Sequence, residues 1–410
     1  MLFRSETIEE LFRQDLKPYY VDLAEHYEKA ALPEKAILYL TLAGQDALES
    51  YRNQQAVALY ERLLKHPLEA EAELQAWEAK GRAQRMAGDW DGAKQTCARM
   101  LERAEALAEP HWQAKAANAL AYFLLAHGEI DWAFAVAKRA QTLSIQIGDR
   151  FEQAQALRNL GLVCIKTGEW EQARQIHTEL LALAKEIDDL NSIVSALFQL
   201  REHLLEEGNL VAEFETYLRR AEEKKDLRLM SVILFYIGDV YLLQRDYAAA
   251  EQTNRRMYEI VDQIGDKQGM CYAIGDRGIV LSEIGRFEEA IECYREKLVL
   301  AREIGDGYNI WEGLFNWASA ETFQARAAQA EERLQLALET AQKYSLKGEQ
   351  MLTLLAMAEN NLEQGDLEEA RRIYLQAREW NLQLNTDSFA YAIGLLNAKI
   401  QQSPDLLDEL

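Results

Sequence analysis

A turn signature that returns every forty residues is the feature that most constrains the fold of this sequence. A glycine, or a residue in its place, is followed by a polar residue, and in most copies a small residue comes five positions after the first. The first positions are Gly88, Gly128, Gly168, Gly208, Arg245, Gly285, Ala325 and Gly365. Successive first positions differ by 40, 40, 40, 37, 40, 40 and 40 residues. Such a period predicts stacked units that bury their apolar faces against one another.

Each unit is predicted to be a pair of amphipathic helices joined by this turn. The chain is rich in strong helix formers and contains only five prolines in 410 residues. Apolar residues such as Leu157, Leu160 and Cys164 recur at helical spacing between the turns. A second series of stops closes the units, at Ile147-Gly148, Ile187-Asp188, Ile264-Gly265 and Ile304-Gly305. The predicted fold class is therefore all-α, a solenoid of stacked antiparallel helix pairs.

A further small residue lies seven positions before most of the turns. These residues are Gly81, Ala121, Gly161, Gly238, Gly278, Ala318 and Ala358. A glycine inside a helix costs about 1 kcal/mol relative to alanine, so its recurrence predicts a close approach of two helices. Together with the turn and the small residue after it, this pattern resembles the tetratricopeptide repeat, although that repeat usually has about 34 residues.

The resemblance extends to particular proteins with a forty-residue variant of this repeat. The chain looks like the C-terminal repeat regions of bacterial STAND-type ATPase regulators and ATPase-coupled cyclases, and like the Pins-type and kinesin-light-chain scaffolds. It implies a right-handed superhelical solenoid whose concave wall comes mainly from the first helix of each unit. HEAT and armadillo repeats share the longer period but lack the small-residue pattern. We therefore divide the chain into degenerate helical repeats at 1–67, eight repeats at 68–386, and a capping helix with an acidic tail at 387–410.

The composition and the motif search point away from several classes of function. The formal charge of −23 argues against nucleic acid and anionic membranes as partners. No nucleotide-binding, catalytic or metal-binding signature is present in the sequence, so we predict no enzyme activity, no cofactor and no metal. The four cysteines are scattered, which favours free buried thiols in a reducing cytoplasm. The predicted partner is a protein or a peptide.

The turn register assigns residues of successive first helices to the predicted groove. In chain order they are Arg158, Asn159, Lys166, Phe198, Gln199, Glu202, Phe235, Tyr236, Asp239, Tyr272, Asp276, Glu283, Glu312, Phe315 and Asn316. Aromatic residues with acids around them suit a peptide or helix that is held by ring contacts and carries basic groups. The alternative is that Phe198, Phe235 and Phe315 pack between neighbouring helices and the acids are simply solvated.

The resemblance also implies a role for asparagine in this groove. In some members of the family the position of Asn159 and Asn316 holds peptide backbone or a C-terminal carboxylate. Here only Arg158 and Lys166 could supply the basic groups of a carboxylate clamp, so the sequence does not favour that mode.

Three functions remain open at this stage, and all are binding functions. The first is a non-enzymatic scaffold that holds a protein segment or peptide in the concave groove. The second is a sensing domain of a bacterial signalling ATPase or cyclase, and the third is a peptide receptor like the Rap-type receptors. The sequence does not predict the oligomeric state.

Overall fold

The computed structural model describes residues 2–201, 204, 208, 210–344, 346–384, 393, 396 and 399. Every long element in these ranges is a helix. In the first part of the chain the helices are α1 (Leu2–Leu11), α2 (Tyr20–Lys29), α3 (Pro33–Glu49), α4 (Asn53–Leu63), α5 (Ala70–Met86), α6 (Trp90–Ala106), α7 (Pro110–Ala126), α8 (Ile130–Ile147), α9 (Arg150–Thr167) and α10 (Trp170–Ile187). The remaining helices are α11 (Leu190–Gln199), α12 (Leu210–Glu223), α13 (Leu227–Leu243), α14 (Tyr247–Gln263), α15 (Lys267–Glu283), α16 (Phe287–Ile304), α17 (Gly307–Phe323), α18 (Ala327–Lys343), α19 (Lys347–Glu363) and α20 (Leu367–Leu384).

The chain divides into two compact units. The N-terminal unit comprises residues 1–124 and 131–159, and the C-terminal unit comprises residues 125–130 and 160–410. In the C-terminal unit each helix packs against the next, and α11, α13, α15, α17 and α19 also contact one another in succession. These are the first helices of successive hairpins, so they form one continuous layer of that unit. No helix in the described ranges is both long enough and apolar enough to cross a bilayer.

The glycine turns adopt a left-handed backbone conformation. Gly88, Gly168 and Gly285 have φ values of 81°, 81° and 79°, in the left-handed region where glycine has no Cβ to clash. Arg245 and Ala325 take the same conformation without being glycine, with φ values of 60° and 58°. The repeat therefore imposes this turn geometry even where the residue is unfavourable for it.

The residue after the turn caps the second helix when it is aspartate. Asp89 Oδ1 accepts a hydrogen bond from the backbone N–H of Gly92 at 2.9 Å. Asp246 and Asp366 make the equivalent bond to the third residue after them. Glutamate at the same place does not, since Glu169 makes no side-chain cap bond.

Where the small residue of a first helix is glycine, it lies against a side chain of the second helix. A Cβ placed on Gly278 would come within 2.5 Å of Tyr294 Cε1, and one on Gly161 would come within 2.5 Å of the His177 ring. In both hairpins the two residues are sixteen positions apart, as are Gly238 and Asn254. The predicted close approach of the helices is confirmed, and the glycines are there because a ring or an amide occupies the space.

The C-terminal end of the array is only partly described. The predicted capping helix and acidic tail at 387–410 lie outside the described residues except at 393, 396 and 399. Ile393 and Leu396 are buried in a cluster with Ala358, Ile373 and Ala377. The division into 1–67, 68–386 and 387–410 stays a prediction.

Replacing Ala325 with glycine should stabilise the fold. The exposed turn residue has a left-handed backbone that costs an L-residue about 1 kcal/mol, and glycine removes most of that strain. Gly365→Ala is the mirror-image control and should lower the free energy of unfolding by a similar amount. Thermal unfolding followed by circular dichroism measures both, and a lower midpoint for Ala325→Gly would contradict the strain argument.

Replacing Gly278 with alanine should destabilise the fold by about 1–3 kcal/mol, because the added methyl overlaps the Tyr294 ring. Gly81→Ala provides a matched control, since its nearest neighbours, Thr96 Cγ2 and Cys97 Sγ, would lie at 3.5 and 3.6 Å. That substitution should be neutral or stabilising, because alanine favours the helix. Equal losses in urea unfolding of the two variants would show that helix approach is not what selects the glycine.

Candidate functional site

The predicted groove residues fall on the first helices of the hairpins, but they do not form a single group. Arg158 and Asn159 belong to the N-terminal unit, and the later residues from Lys166 onward belong to the C-terminal unit. Glu202 lies outside the described residues.

Asn159 is part of the core of the N-terminal unit. Its side chain is fully buried, and its Nδ2 donates a hydrogen bond to the backbone carbonyl of Asn118 at 3.0 Å. Asn118 in turn donates to the buried Glu152 carboxylate at 2.8 Å. Arg158, next to it, is half-buried. In this conformation Asn159 ties α9 to α7 rather than presenting its amide to a partner.

Four aromatic side chains of the C-terminal unit form a continuous row across three first helices. Phe198 of α11 stacks on Tyr236 of α13 with ring centroids 4.0 Å apart, and Phe235 lies 5.4 Å from Tyr272 of α15. Phe198 and Phe235 are 6.1 Å apart, which joins the two pairs. All four rings are half-buried, so each packs against the core and keeps an exposed part. We call Phe198, Phe235, Tyr236 and Tyr272 the aromatic row.

Three acidic residues lie on the same layer of first helices as the aromatic row. They are Asp239, Asp276 and Glu312, and we call them the acid row. They lie on α13, α15 and α17, one on each of three adjacent first helices. Asp239 Oδ2 lies 2.9 Å from Nε of Arg201. The guanidinium of Arg201 also lies 4.2 Å from the centre of the Phe198 ring, within the range of a cation–π contact.

Glu312 is paired with a buried lysine that comes from a second helix. Lys297 of α16 is 1% exposed and forms an ion pair with the Glu312 carboxylate. Its Nζ lies 5.9 Å from the centre of the Tyr272 ring. A Cβ on Gly275 would lie 2.7 Å from that Nζ, so the glycine leaves the space through which the lysine reaches the acid row.

Asp276 has no such partner. Its Oδ2 is buried and makes no hydrogen bond to any residue that the structure describes. Burial raises the pKa of this carboxyl well above its ordinary value, the Glu312 and Asp239 carboxylates raise it further, and Lys297 opposes the rise. The acid row therefore contains one buried carboxyl group to which no cation of the described residues is bonded.

The other predicted residues are distributed around this centre. Lys166 lies 3.8 Å from Glu349 of α19, so its nearest charge belongs to the chain itself. Glu283 is exposed and accepts a hydrogen bond from the Tyr247 hydroxyl at 3.1 Å. Phe315 packs on Trp311 with centroids 5.2 Å apart, which favours the packing interpretation for this ring. Gln199 and Asn316 are half-buried.

The groove residues assigned from the sequence do not include Arg201 or Lys297, which complete the charge pattern. A signal for Lys297 was available in the repeat, because the equivalent positions carry Met100, Ala140, Leu180, Met257, Ala337 and Ala377, with Arg220 as the one basic exception. A lysine at a position that is apolar in most units indicates either an error of register or a buried ion pair. The structure shows the ion pair.

The remaining chemistry-bearing side chains form no second centre in the described part of the chain. The described ranges contain no group of three or more histidine, cysteine or acidic residues that could hold a metal ion. Cys97, Cys164, Cys271 and Cys293 are buried and free, as the sequence predicts. Burial raises the pKa of Cys97 and Cys271 to about 12, so these thiols stay protonated at neutral pH.

Replacing Lys297 with methionine should cost about 3 kcal/mol of stability. The substitution leaves the Glu312 carboxylate without its cation beside Asp276, and removing one partner of a buried pair is strongly destabilising. Methionine occupies the equivalent place in two other hairpins, so the shape is tolerated. Urea unfolding of the single variant, of Glu312→Gln and of the double variant forms a cycle. The double variant should recover a large part of the loss, whereas strictly additive losses would show that the pair is not coupled.

The comparisons with known proteins match particular hairpins and the overall arrangement of helices. The family model of the tetratricopeptide repeat matches residues 156–190 and 278–308, which contain the turns at Gly168 and Gly285. Among curated proteins, G-protein-signaling modulator 1 of Homo sapiens is 31% identical over 83 residues. That alignment spans 20% of this chain and only 12% of the length of the human protein.

Solved structures resemble the chain over most of its length. A Rap protein in complex with Competence and Sporulation Factor gives a TM-score of 0.58 at 14% identity, covering 86% of this chain and 99% of that one. A STAND protein with a tetratricopeptide repeat sensor from Pyrococcus horikoshii gives 0.49 at 14% identity, covering 87% of this chain and 55% of that one. The quorum sensor NprR from B. thuringiensis gives 0.49 at 15% identity, covering 82% and 96%.

Proposed function

We propose that this chain, a solenoid of tetratricopeptide repeats, is a non-catalytic binding protein that holds a protein segment or peptide with basic groups along α11, α13, α15 and α17. The observation that carries the proposal is the aromatic row. Half-exposed rings held in place by one another are the side chains that contribute most to protein interfaces. They lie on adjacent helices of one layer, which suits a partner that crosses several repeats.

The charges around the row favour a partner that carries positive charge. The acid row lies on α13, α15 and α17, the three first helices that follow α11. The whole chain has a formal charge of −23. Such a surface attracts cations over a distance and repels acidic segments. Charge alone would attract any segment with basic residues. The rings make the surface selective, because they require the partner to carry apolar groups at a fixed spacing from its basic residues.

A cytoplasmic location goes with this proposal. The four free, buried cysteines are typical of proteins in a reducing compartment. The Rap structure contains Competence and Sporulation Factor as its partner, so a helical array of this kind is able to hold such a ligand in that protein. At 14% identity the likeness is one of fold, and the ligand of this chain has to be found by experiment.

Selection from a phage-displayed library of random peptides on the full chain tests the proposal. We expect enrichment of peptides that combine lysine or arginine with apolar residues. A variant with Phe235→Ala and Tyr272→Ala should bind the selected peptides at least about tenfold more weakly, because it removes two central rings. The matched control is Phe287→Ala with Phe323→Ala, another contacting ring pair of the same unit, at a centroid distance of 5.9 Å.

Circular dichroism of both variants must match that of the natural chain before the affinities are compared. The control pair should keep full affinity. Failure to enrich any peptide, or equal affinity of the two double variants, would overturn the assignment of the aromatic row as the binding surface.

A further inference from the structure

We propose that Asp276 anchors one cationic side chain of the bound segment, a guanidinium or an ammonium group, between the two cations that the protein itself places in the acid row. This inference rests on the proposed function, because it assigns the position within the same surface that binds the positively charged side chain of the partner. It names one residue and one charge, so it is tested separately from the surface as a whole.

The chain already contains two cation sites built to one plan. In each, a carboxylate and an aromatic ring receive the same positive group. Arg201 lies 2.9 Å from Asp239 and 4.2 Å from the Phe198 ring centre, and Lys297 pairs with Glu312 and lies 5.9 Å from the Tyr272 ring centre. A carboxylate beside a ring face is therefore the arrangement that this surface uses to hold a cation.

Asp276 belongs to the same acid row, and no cation of the described residues is bonded to it. It lies on α15, four residues after Tyr272, which places the two side chains on one face of the helix. Tyr236 occupies the equivalent register position on α13, 40 residues before Asp276. The Oδ2 atom of Asp276 is buried and has no hydrogen-bond partner among the described residues, which is an unfavourable state for a carboxyl group. A donor from a partner would relieve it.

The two cations already present limit what the site can take. Asp239, Asp276 and Glu312 supply three carboxyl groups, and Arg201 and Lys297 are paired with the first and the third. One further cation would give Asp276 the partner that the other two carboxyl groups already have. A second would lie close to Arg201 or Lys297 and be repelled, so this position selects a single basic residue rather than a basic run.

The test uses N-acetyl-arginine amide as the probe and N-acetyl-citrulline amide as its neutral analogue of the same shape. Ligand-observed NMR titrations at low ionic strength measure their binding to the full chain. We expect saturable binding of the arginine probe with a Kd on the order of 1 mM, the range for a ligand of this size. The citrulline probe should bind at least about tenfold more weakly, because it cannot supply the charge.

The variant Asp276→Asn should lose the preference for arginine over citrulline. Glu296→Gln is the matched control, because Glu296 is an exposed acid on α16 of the same hairpin. It should bind the arginine probe as the natural chain does. The comparison of the two probes uses the natural chain, so it remains decisive if Asp276→Asn does not fold.

Absence of saturable arginine binding, equal binding of citrulline, or an unchanged preference in Asp276→Asn would each overturn the assignment of Asp276. These outcomes are distinguishable from failure of the proposed function. If library peptides bind the aromatic row while the arginine probe does not bind, the binding surface is supported and Asp276 is not the residue that binds the partner's cation. If the arginine probe binds at Asp276 while no peptide is enriched, the cation site stands and the segment-binding role falls.

Discussion

The close approach of the two helices in each hairpin is the constraint on which the rest of the structure depends. A small residue on the first helix receives a side chain sixteen positions later on the second, as at Gly161 with His177 and Gly278 with Tyr294. Because the interior is densely packed, one methyl group at these points is enough to push the helices apart. The spacing of one hairpin then sets where the next begins, so an error would be repeated along the array.

That spacing brings residues from separate repeats into one row. Phe198, Phe235 and Tyr272 follow one another at intervals of 37 residues, yet each ring contacts the next because α11, α13 and α15 lie side by side. A repeat protein builds an extended surface in this way, each hairpin contributing one or two side chains. The regular turn geometry preserves the register even at Arg245 and Ala325, where the residue itself opposes it.

The polar centre of the C-terminal unit departs from the repeat, and its departures belong together. Gly275 stands where other first helices carry Phe198, Phe235 or Phe315, and Lys297 stands where most other second helices are apolar. Each substitution alone would be unfavourable, since one leaves a gap and the other buries a charge. Together they are compatible, because the gap admits the lysine and the lysine meets Glu312. Burying such a pair is seldom the best choice for stability, which favours a role in recognition.

The sequence by itself determined the all-α class, the hairpin period, the left-handed turns and the close helix approach. These features follow from local chemistry repeated at a fixed interval. Gly285, for example, forms a left-handed turn, and Gly278 leaves room for a side chain of the second helix. Only the tertiary structure decided which polar side chains are buried and which are paired. Asn159 and Asn316 have the same register, yet the first is in the core and the second is half-exposed. Likewise Arg201 pairs with Asp239, and Lys297 with Glu312, while Asp276 has no such cation. The physical reason is that burial and charge pairing depend on neighbouring helices, whose side chains a single repeat does not specify.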